Sequence, residues 1–303
     1  MGGRVVSVNG PGGRAGARGS RTAEIVAVSR ARHLIRHSPP HVFEDPCAVR
    51  FVGRRWRRVL ESRLLDGLLA KTLYKKLLPV TTQHLTRARF AEDALAEAIG
   101  RGATQYVILG AGFDTFAFRH PALPVTVYEV DLPATMALKR KRLAAASMET
   151  PPNLRFVPFD FERDDLAAAL AAAGFDSAGS SFFGWMGVTS YLTPDAIRET
   201  LRRVAEVGGA GDEIAFDYLV ADECVPPEDR DLFVRMMDFV GKRGEPMISR
   251  FDPTGVKAAL DPGDEWTVVR HESPGDQRRR YLAGRDDLPP LAPIAWCIHL
   301  QRR

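Results

Sequence analysis

Two glycines and an aspartate stand at a spacing that suits the binding of a nucleoside. Gly110 and Gly112 directly follow an apolar run at residues 105–109, and Asp131 closes the next such run, nineteen residues after Gly112. Glycine lets the backbone turn sharply and approach a ligand without a Cβ atom in the way. An acidic side chain at this distance can accept hydrogen bonds from ribose hydroxyls. The pattern therefore predicts a nucleoside-binding turn after the first strand, with Asp131 at the ribose.

The third glycine of a dinucleotide fingerprint is missing. The pattern GxGxxG would place it at position 115, where this chain has Thr115. A pyrophosphate is therefore not favoured over a nucleoside, which indicates S-adenosylmethionine rather than NAD as the ligand. A nicotinamide oxidoreductase remains the alternative from a different class of enzyme. The chain has neither a GxSxG motif nor a P-loop motif, so a hydrolase and a P-loop nucleotidase gain no support.

Short β-rich runs alternate with helical segments from residue 105 onward. The strand candidates lie at residues 105–109, 125–130, 154–157, 181–186 and 213–218, and two more at 266–269 and 294–299 close the series. Helices are predicted between them, one with Thr193 as N-cap and Pro194 at its first position. This alternation predicts βαβ units in a doubly wound α/β sheet, whose ligands bind at the carboxyl ends of the strands.

The first hundred residues differ from the rest in composition and periodicity. Residues 22–79 are predicted to be helical throughout, and a further helix covers about residues 81–100. Residues 1–20 are rich in Gly and Arg and are expected to form a flexible basic tail. Residues 21–303 are interpreted as a single domain, with a helical lid at 21–100 and a core with C-terminal insertions at 101–303. The lid hypothesis rests on the late start of the sheet.

Charge and cysteine usage limit the partners that the sequence supports. The formal net charge is +4, but residues 1–58 hold twelve Arg and only three acidic residues. This basic region lacks the interleaved aromatic side chains of a nucleic-acid platform, so no nucleic-acid partner is expected. No apolar run has the ~18 to 20 residues of a membrane helix, and no secretory signal is recognised, so no membrane partner is expected. Three widely separated cysteines favour a reducing cytoplasm.

Two histidines stand at a spacing that metal ligands can use. His33 and His37 lie four residues apart on a predicted helix. No third ligand stands nearby in sequence, so a solvated helix face is favoured. The cysteines form no CxxC pair either. No metal is therefore expected.

Four segments, in this order and spacing, resemble the leucine carboxyl methyltransferase family. They are QYVILGAGFDTFAFRH, VYEVDLP, RFVPFDF and GWMGVTSYLTPDA. The chain is most similar to a bacterial branch of S-adenosylmethionine-dependent methyltransferases that includes polyketide carboxyl O-methyltransferases, and the late segment RYLAGR also resembles that branch. The resemblance covers roughly residues 20–300. It implies a doubly wound, mostly parallel, Rossmann-like class I methyltransferase sheet with an N-terminal helical lid, and S-adenosyl-L-methionine as the cofactor.

The resemblance also implies roles for single residues. Gly110 and Gly112 are expected beside the methionine part of the cofactor, and Asp131 at the ribose hydroxyls. Asp160 is expected to accept a hydrogen bond from the adenine amino group, and Phe161 to offer its backbone N–H to the ring.

In the family, an arginine in the helix before the first strand binds the cofactor carboxylate. Arg87 or Arg89 could fill this role, and Arg89 is slightly favoured. The pair would be bidentate and charge-assisted, which suits arginine better than lysine.

Two positions depart from the family pattern. Many relatives carry an acidic residue after the fourth strand, where this chain has Met186 followed by Gly187. Met186 is expected to make a packing contact with the adenosine or the sulfonium instead. Phe116 replaces an arginine common in relatives and is expected to alter the mouth of the pocket.

A carboxylate acceptor fits the lack of an obvious base. A carboxylate is already ionised at neutral pH, so methyl transfer to it needs no general base. An O-methyltransferase acting on a hydroxyl would need one and is the alternative among enzymes. A non-catalytic S-adenosylmethionine-binding protein is a further alternative, because Met186 replaces a polar residue. The acceptor is expected to be a small molecule; its identity, the catalytic residues and the oligomeric state are left open by the sequence.

Overall fold

The computed structural model describes residues 12–72, 78–161, 163–241 and 247–303. Within them, eight strands form one sheet. In chain order they are β1 (Gln105–Leu109), β2 (Thr126–Asp131), β3 (Leu154–Pro158), β4 (Ser181–Trp185), β5 (Glu213–Val220), β6 (Arg250–Phe251), β7 (Trp266–Glu272) and β8 (Ala295–Arg302).

The strand order confirms the doubly wound, mostly parallel α/β sheet. The order across the sheet is β3-β2-β1-β4-β5-β8-β7, and the two-residue β6 pairs with β5 beside this path. Strands β1 to β5 run parallel, whereas β8 is antiparallel to both β5 and β7. The chain moves outward from β1 to β2 and β3 and then returns to β4 on the other side of β1. Ligands bind at such a switch point in doubly wound folds.

Twelve α-helices accompany the sheet in the described residues. They are α1 (Gly12–Arg36), α2 (Pro46–Phe51), α3 (Gly53–Glu61), α4 (Arg63–Thr72), α5 (Leu78–Gly100), α6 (Phe116–Arg119), α7 (Pro133–Ala145), α8 (Leu166–Ala172), α9 (Pro194–Val207), α10 (Arg230–Gly241), α11 (Val256–Leu260) and α12 (Pro274–Tyr281). None of the described helices combines the length and the apolar character that crossing a bilayer requires.

Capping side chains set where two of the helices begin. The hydroxyl of Thr193 accepts from the Ala196 N–H at 3.2 Å, Pro194 follows it, and α9 ends before Gly208, as predicted. The carboxylate of Asp165 accepts from the Ala168 N–H at 2.8 Å. Helix α8 therefore begins one residue after this cap.

The N-terminal region departs from the prediction on both sides of residue 22. Helix α1 begins at Gly12, so residues 12–20 are helical where a flexible tail is predicted, and residues 1–11 lie outside the described residues. The chain leaves the helix after Arg36 and resumes it only at Pro46, so residues 22–79 are not helical throughout. Two prolines at positions 39 and 40 fall in this interruption, where they cannot donate the hydrogen bonds of a continuing helix.

Apolar side chains cover both faces of the sheet. Val107 and Leu109 of β1 pack with residues of α8 and α9 on one face, while Tyr106 and Ile108 pack with Phe90 and other residues of α5 on the opposite face. A strand buried on both sides is typical of a parallel sheet between two helical layers. Helix α5, predicted as part of the lid, thus also belongs to the layer that covers the sheet.

His33 is buried rather than solvated. Its Nε2 accepts from the Val42 N–H at 3.0 Å, and its Nδ1 lies 3.3 Å from Nδ1 of His37. Burial lowers the pKa of His33 to about 3. The expected solvated face is therefore wrong for this residue. The described residues contain no group of three or more His, Cys, Asp or Glu side chains placed to hold a metal ion.

Candidate functional site

A cavity of about 560 Å³ lies at the carboxyl ends of the central strands. Its walls come from the turn after β1, the end of β2, the loop after β4, and one side each of α1 and α5. The volume falls within the ~300–1,000 Å³ of small-molecule and cofactor sites. The cavity occupies the switch point between β1 and β4, where the topology predicts a ligand.

Most of the predicted site residues share this cavity. Those that line it are Arg87, Gly110, Gly112, Asp131, Phe161, Met186 and Gly187. Arg89 and Asp160 are not among the lining residues. Residues that are far apart in the sequence thus come within reach of one ligand.

The turn after β1 holds its first glycine in a conformation that other residues rarely adopt. Gly110 has φ of +70° and donates from its N–H to the carbonyl oxygen of Val130 at 2.8 Å. A Cβ atom at this position would lie 2.6 Å from Cγ2 of Val188, which is closer than real Cβ contacts. Both the positive φ and the close approach require glycine. The turn thereby brings bare backbone to the cavity, beside the loop after β4.

We expect Gly110→Ala to lower the free energy of unfolding by about 1 to 3 kcal/mol, because it combines a strained φ with a steric conflict. Gly100→Ala is the matched control, since Gly100 ends α5 and an added Cβ would meet nothing within 4 Å. Little change or a slight gain is expected there. Urea unfolding followed by circular dichroism measures both variants. Equal stability of Gly110→Ala and the wild type would contradict the described turn.

Asp131 ends β2 and binds the backbone of the cavity wall. Its carboxylate accepts from the Gly112 N–H and from the Leu132 N–H, both at 2.6 Å. Burial raises the pKa of the Asp131 carboxyl, while these two backbone donors oppose the rise. A carboxylate offers about four acceptor sites, so it can also accept from the hydroxyls of a ligand.

Arg87 reaches the cavity beside the loop after β4. Its Nη1 lies 3.3 Å from Oδ2 of Asp217, and its side chain is only 16% exposed. The other oxygen of Asp217 accepts from the Gly187 N–H at 2.5 Å. Gly187 has φ of +74°, and a Cβ there would overlap the guanidinium of Arg87, so glycine makes room for the arginine. A guanidinium has five N–H donors, which leaves several for a ligand.

Asp217 was not singled out from the sequence, although a feature that could have revealed it is present. The residue is a lone aspartate within the run IAFDYLV of β5, which is buried along its whole length. A carboxylate is almost never fully buried without a partner. Met186 lines the cavity as an apolar side chain, so the carboxylate near this loop comes from the neighbouring strand.

The structure reverses the expected order of the two arginines. Arg89 lies on the outer side of α5, where its Nε is 2.7 Å from Asp93 and its side chain is 48% exposed. The preference for Arg89 is therefore corrected to Arg87. Two residues along a helix differ by about 200° in direction, so only one of the two can face the sheet.

Asp160 and Phe161 are neighbours with different surroundings. Phe161 lines the cavity, whereas Asp160 stands outside the lining. The N–H of Asp160 donates to Asp164 at 2.8 Å, and its carboxylate lies 3.7 Å from Nε of Arg163. Asp160 therefore lies next to a lining residue without lining the cavity itself, and its expected contact with the adenine stays a prediction.

Phe116 does not alter the mouth of the cavity, contrary to the expectation. It is buried beneath the lining, with its ring 5.1 Å from the ring of Tyr106. Tyr106 itself lines the cavity. Phe116 thus supports a wall residue from behind.

Helix α1 supplies a wall of the cavity that the sequence did not reveal. Thr22, Ala23, Val26 and Arg30 line it from one side of the helix. Ala23 would lie 3.2 Å from a Cβ added at Gly112, so the helix passes directly over the glycine turn. Arg30 is anchored by the Phe113 carbonyl oxygen at 2.6 Å. Helical spacing of these residues is visible in the sequence, but the face they form could not be assigned to a ligand without the tertiary structure.

A buried histidine completes the wall between α1 and α5. His84 lines the cavity, and its Nδ1 lies 3.1 Å from the hydroxyl of Ser29. Burial, followed by the charges of Arg87 and Arg30, lowers the pKa of His84 well below its ordinary value. The side chain is therefore a neutral imidazole.

These groups suit a nucleoside that bears a carboxylate. Asp131 offers an acceptor for sugar hydroxyls, and Arg87 offers a cation for a carboxylate. Gly110 and Gly187 present backbone without a Cβ atom in the same cavity. S-adenosylmethionine has these features, so the residues present fit it as a cofactor.

The chain resembles known proteins over most of its length. A family model described as leucine carboxyl methyltransferase matches residues 23–205. A Bacillus subtilis protein, provisionally named S-adenosyl-L-methionine-dependent methyltransferase YktD, is 32% identical over 287 residues, which cover 88% of this chain and 93% of that protein.

Two solved structures share the fold at low sequence identity. A crystal structure of a provisionally assigned methyltransferase from Thermobifida fusca has a TM-score of 0.57 and 16% identity, over 98% of this chain and 100% of that one. A DUF574 family protein from Streptomyces avermitilis has a TM-score of 0.54 and 14% identity, over 91% of this chain and 97% of that one. With the strand order, these likenesses confirm the expected class I methyltransferase fold.

Proposed function

The chain belongs to the leucine carboxyl methyltransferase family, and on that premise we propose that it forms a methyl ester on a small-molecule carboxylate. It is an S-adenosyl-L-methionine-dependent methyltransferase. The family name supports a carboxyl group as the acceptor. When bound, S-adenosylmethionine supplies a methyl group on a sulfonium, from which a nucleophile displaces it. The residues of this chain must then hold the acceptor in line and keep water away.

The carboxylate acceptor is supported by the partners that the acidic side chains of the lining already have, and by the low basicity of the lining histidine. Glu92 is paired with Arg119, with one contact at 3.1 Å, and Asp114 accepts from a backbone N–H at 2.7 Å. Asp131 is held by two backbone donors. The pKa of His84 lies well below its ordinary value, so it is a weak base. An acceptor that is already ionised needs none of them.

Apolar side chains of the cavity lining favour an acceptor with an apolar body. Met186, Val188, Leu192 and Ile248 are among them. Apolar walls exclude water, which strips the acceptor carboxylate of its solvation and strengthens its attraction to the sulfonium. We therefore propose an organic acid whose carbon skeleton packs against these side chains.

The cofactor roles expected of single residues are part of the same proposal. Asp131 accepts from the ribose hydroxyls, and Arg87 binds the carboxylate of the methionine moiety. The backbone at Gly110 and Gly112 lies beside that moiety, and Phe161 lies beside the adenine. The support for this assignment is that all five line one cavity.

We expect Asp131→Ala to weaken the binding of S-adenosylhomocysteine by about 1.5 to 3 kcal/mol, which is roughly 10- to 150-fold in Kd, because the ribose loses a charged hydrogen-bond partner. Asp195→Ala is the control, since Asp195 lies on α9 with its side chain 89% exposed. Isothermal titration calorimetry measures both. Unchanged affinity of Asp131→Ala would count against its role at the ribose.

For the lid expected at residues 21–100, separate roles are proposed for α1 and α5. We propose that α1 closes the cavity over the glycine turn, while α5 supplies Arg87 and is fixed to the sheet. The support is that both helices contribute lining residues, and that α5 packs on β1. A variant that lacks residues 1–80 and still methylates acceptors at the normal rate would contradict this arrangement.

The proposed reaction is tested by the stability of the product to base. The protein is incubated with methyl-labelled S-adenosylmethionine and pairs of acceptors, each an apolar organic acid and the corresponding alcohol. Methyl esters release labelled methanol in mild alkali, whereas methyl ethers do not. We expect volatile label from the acids and none from the alcohols. If the labelled product is stable to alkali, or if label is transferred only to the alcohols, the product is a methyl ether and the proposed ester is wrong.

A further inference from the structure

His84 presents a hydrogen-bond acceptor to the cavity that the roles assigned above do not use. It lies on α5 three residues before Arg87, so the two side chains leave the helix on the same side, one turn apart. Both line the cavity. A ligand that touches Arg87 is therefore within reach of His84.

The hydrogen bonds of Ser29 determine which ring nitrogen carries the proton. The Ser29 hydroxyl donates to the carbonyl oxygen of Ile25 at 2.9 Å, so its oxygen accepts from Nδ1–H of His84 at 3.1 Å. Nε2 is then the unprotonated nitrogen, with one lone pair. The described residues supply no hydrogen bond to it. Since His84 lines the cavity, this lone pair is available to a hydrogen-bond donor of a ligand.

The surroundings keep the imidazole neutral without making the wall cationic. His84 is only 6% exposed, and burial together with Arg87 and Arg30 lowers its pKa. Each arginine is itself paired with a carboxylate, Arg30 with Asp45 at 3.2 Å and Arg87 with Asp217 at 3.3 Å. The wall therefore has no net charge, so a cationic group of a ligand is not repelled from it.

We propose that His84 and Arg87 together recognise the amino-acid end of the cofactor. Nε2 of His84 accepts a hydrogen bond from the α-ammonium group, and Arg87 donates to the α-carboxylate. These two groups are attached to one carbon atom of the methionine moiety, and two side chains one helical turn apart offer a partner to each. The inference rests on the cofactor and on the role proposed for Arg87, but not on the identity of the methyl acceptor.

The other role open to such a histidine is that of a general base on a hydroxyl acceptor. An efficient base has a pKa near the working pH. The wall around His84 disfavours its protonated form, whereas accepting a hydrogen bond needs only the lone pair. The binding role is therefore the one that the surroundings favour.

The test compares two ligands on one protein. One is S-adenosylhomocysteine, and the other is its analogue with hydrogen in place of the α-amino group. Calorimetry gives both dissociation constants without any methyl acceptor. We expect the wild type to prefer S-adenosylhomocysteine by at least about tenfold, the lower bound for a hydrogen bond to a charged group. His84→Met should abolish the preference, and His84→Gln, which keeps an acceptor oxygen, should retain most of it.

The ratio of the two constants guards against effects on folding, because a general loss of affinity weakens both ligands alike. If His84→Met does not fold, Ser29→Ala replaces it, since loss of the partner of Nδ1 releases the ring and should reduce the preference several-fold. Equal binding of the two ligands by the wild type would overturn the proposal. A preference for S-adenosylhomocysteine that survives in His84→Met would also overturn the proposal. A His84 variant that kept this preference but lost turnover would show that His84 acts as a base instead. Failure to methylate any acid would refute the proposed methyl ester, but it would not change the result of this ligand comparison.

Discussion

Arg87→Ala should weaken the binding of S-adenosylhomocysteine by at least about 150-fold, the largest effect expected of any substitution in the cavity. A bidentate, charge-assisted contact with a carboxylate contributes about 3 kcal/mol or more. The loss is increased by Asp217, because among the described residues its buried carboxylate would keep the Gly187 N–H alone as a partner, beside the carboxylate of the ligand. Calorimetry measures the change, and circular dichroism confirms that the variant is folded.

Arg89→Ala is the matched control for this prediction. The two arginines lie two residues apart on α5, but Arg89 is paired with Asp93 on the outer side of the helix. Its substitution should leave the dissociation constant within about twofold, as expected for a surface ion pair. Weak binding by Arg89→Ala together with normal binding by Arg87→Ala would restore the order expected from the sequence and refute the assignment of Arg87.

The largest effect on stability is expected from Lys139→Met. Lys139 of α7 contacts Glu129 of β2 in the interior, where both side chains are 1% exposed. Burial raises the pKa of Glu129 to about 7 even with the lysine beside it. Removing the lysine leaves an uncompensated carboxylate in the core, which costs about 3 kcal/mol, the lower end of the range, because Glu129 can take up a proton. Urea unfolding at pH 8 measures the loss.

The pH dependence of this loss has a definite sign. A carboxyl whose pKa is higher in the folded protein than in the unfolded chain destabilises the fold above the folded value, and this cost is relieved as the pH falls. In Lys139→Met the pKa of Glu129 rises further, so the deficit should be smaller at pH 5.5 than at pH 8. A deficit that grows on acidification would contradict a buried, charged Glu129.

Two further variants separate the ion pair from other effects. Lys141→Met changes an exposed lysine on the same helix and should alter stability by less than about 0.5 kcal/mol. Glu129→Leu/Lys139→Met replaces the whole pair by apolar side chains and should be more stable than the single variant, because no charge remains in the core. A double variant less stable than Lys139→Met would show that packing, not charge, dominates there.

The strands of the sheet could be predicted because each is marked by local features. Strands β1 to β5 are apolar or β-branched runs separated by helical periods, and all five lie within two residues of the predicted positions. Strand β6 and helix α11 have two and five residues, which is too short for a periodicity to appear. The start of α1 at Gly12 could not be foreseen either, because glycine and arginine in that segment suggest a solvated tail.

The candidate site was predictable where its residues follow a strand, and not where they face it from a helix. Gly110, Gly112 and Asp131 stand directly at strand ends, so topology alone brings them together. Arg87 could have been chosen over Arg89, since it shares a helical stripe with Phe90 and Ala94, which pack on the sheet.

Arg30, His84 and Asp217 depend on contacts between elements that are distant in the sequence. Arg30 is placed by loops after α1 and β1, and His84 by Ser29, fifty-five residues earlier. No local pattern distinguishes them from ordinary core or surface residues. Their recognition required the docking of α1 and α5 over the switch point.

Strand β8 has a consequence for how the protein is made. It is synthesised after every other strand that the structure describes, yet it lies between β5 and β7. Until the ribosome has delivered it, β5 presents unpaired backbone along an edge, and β7 lacks the neighbour through which it joins the sheet. Open edges of this kind invite pairing with other chains. A nascent polypeptide stalled before residue 295 would therefore be a good client for chaperones and could not yet complete its sheet.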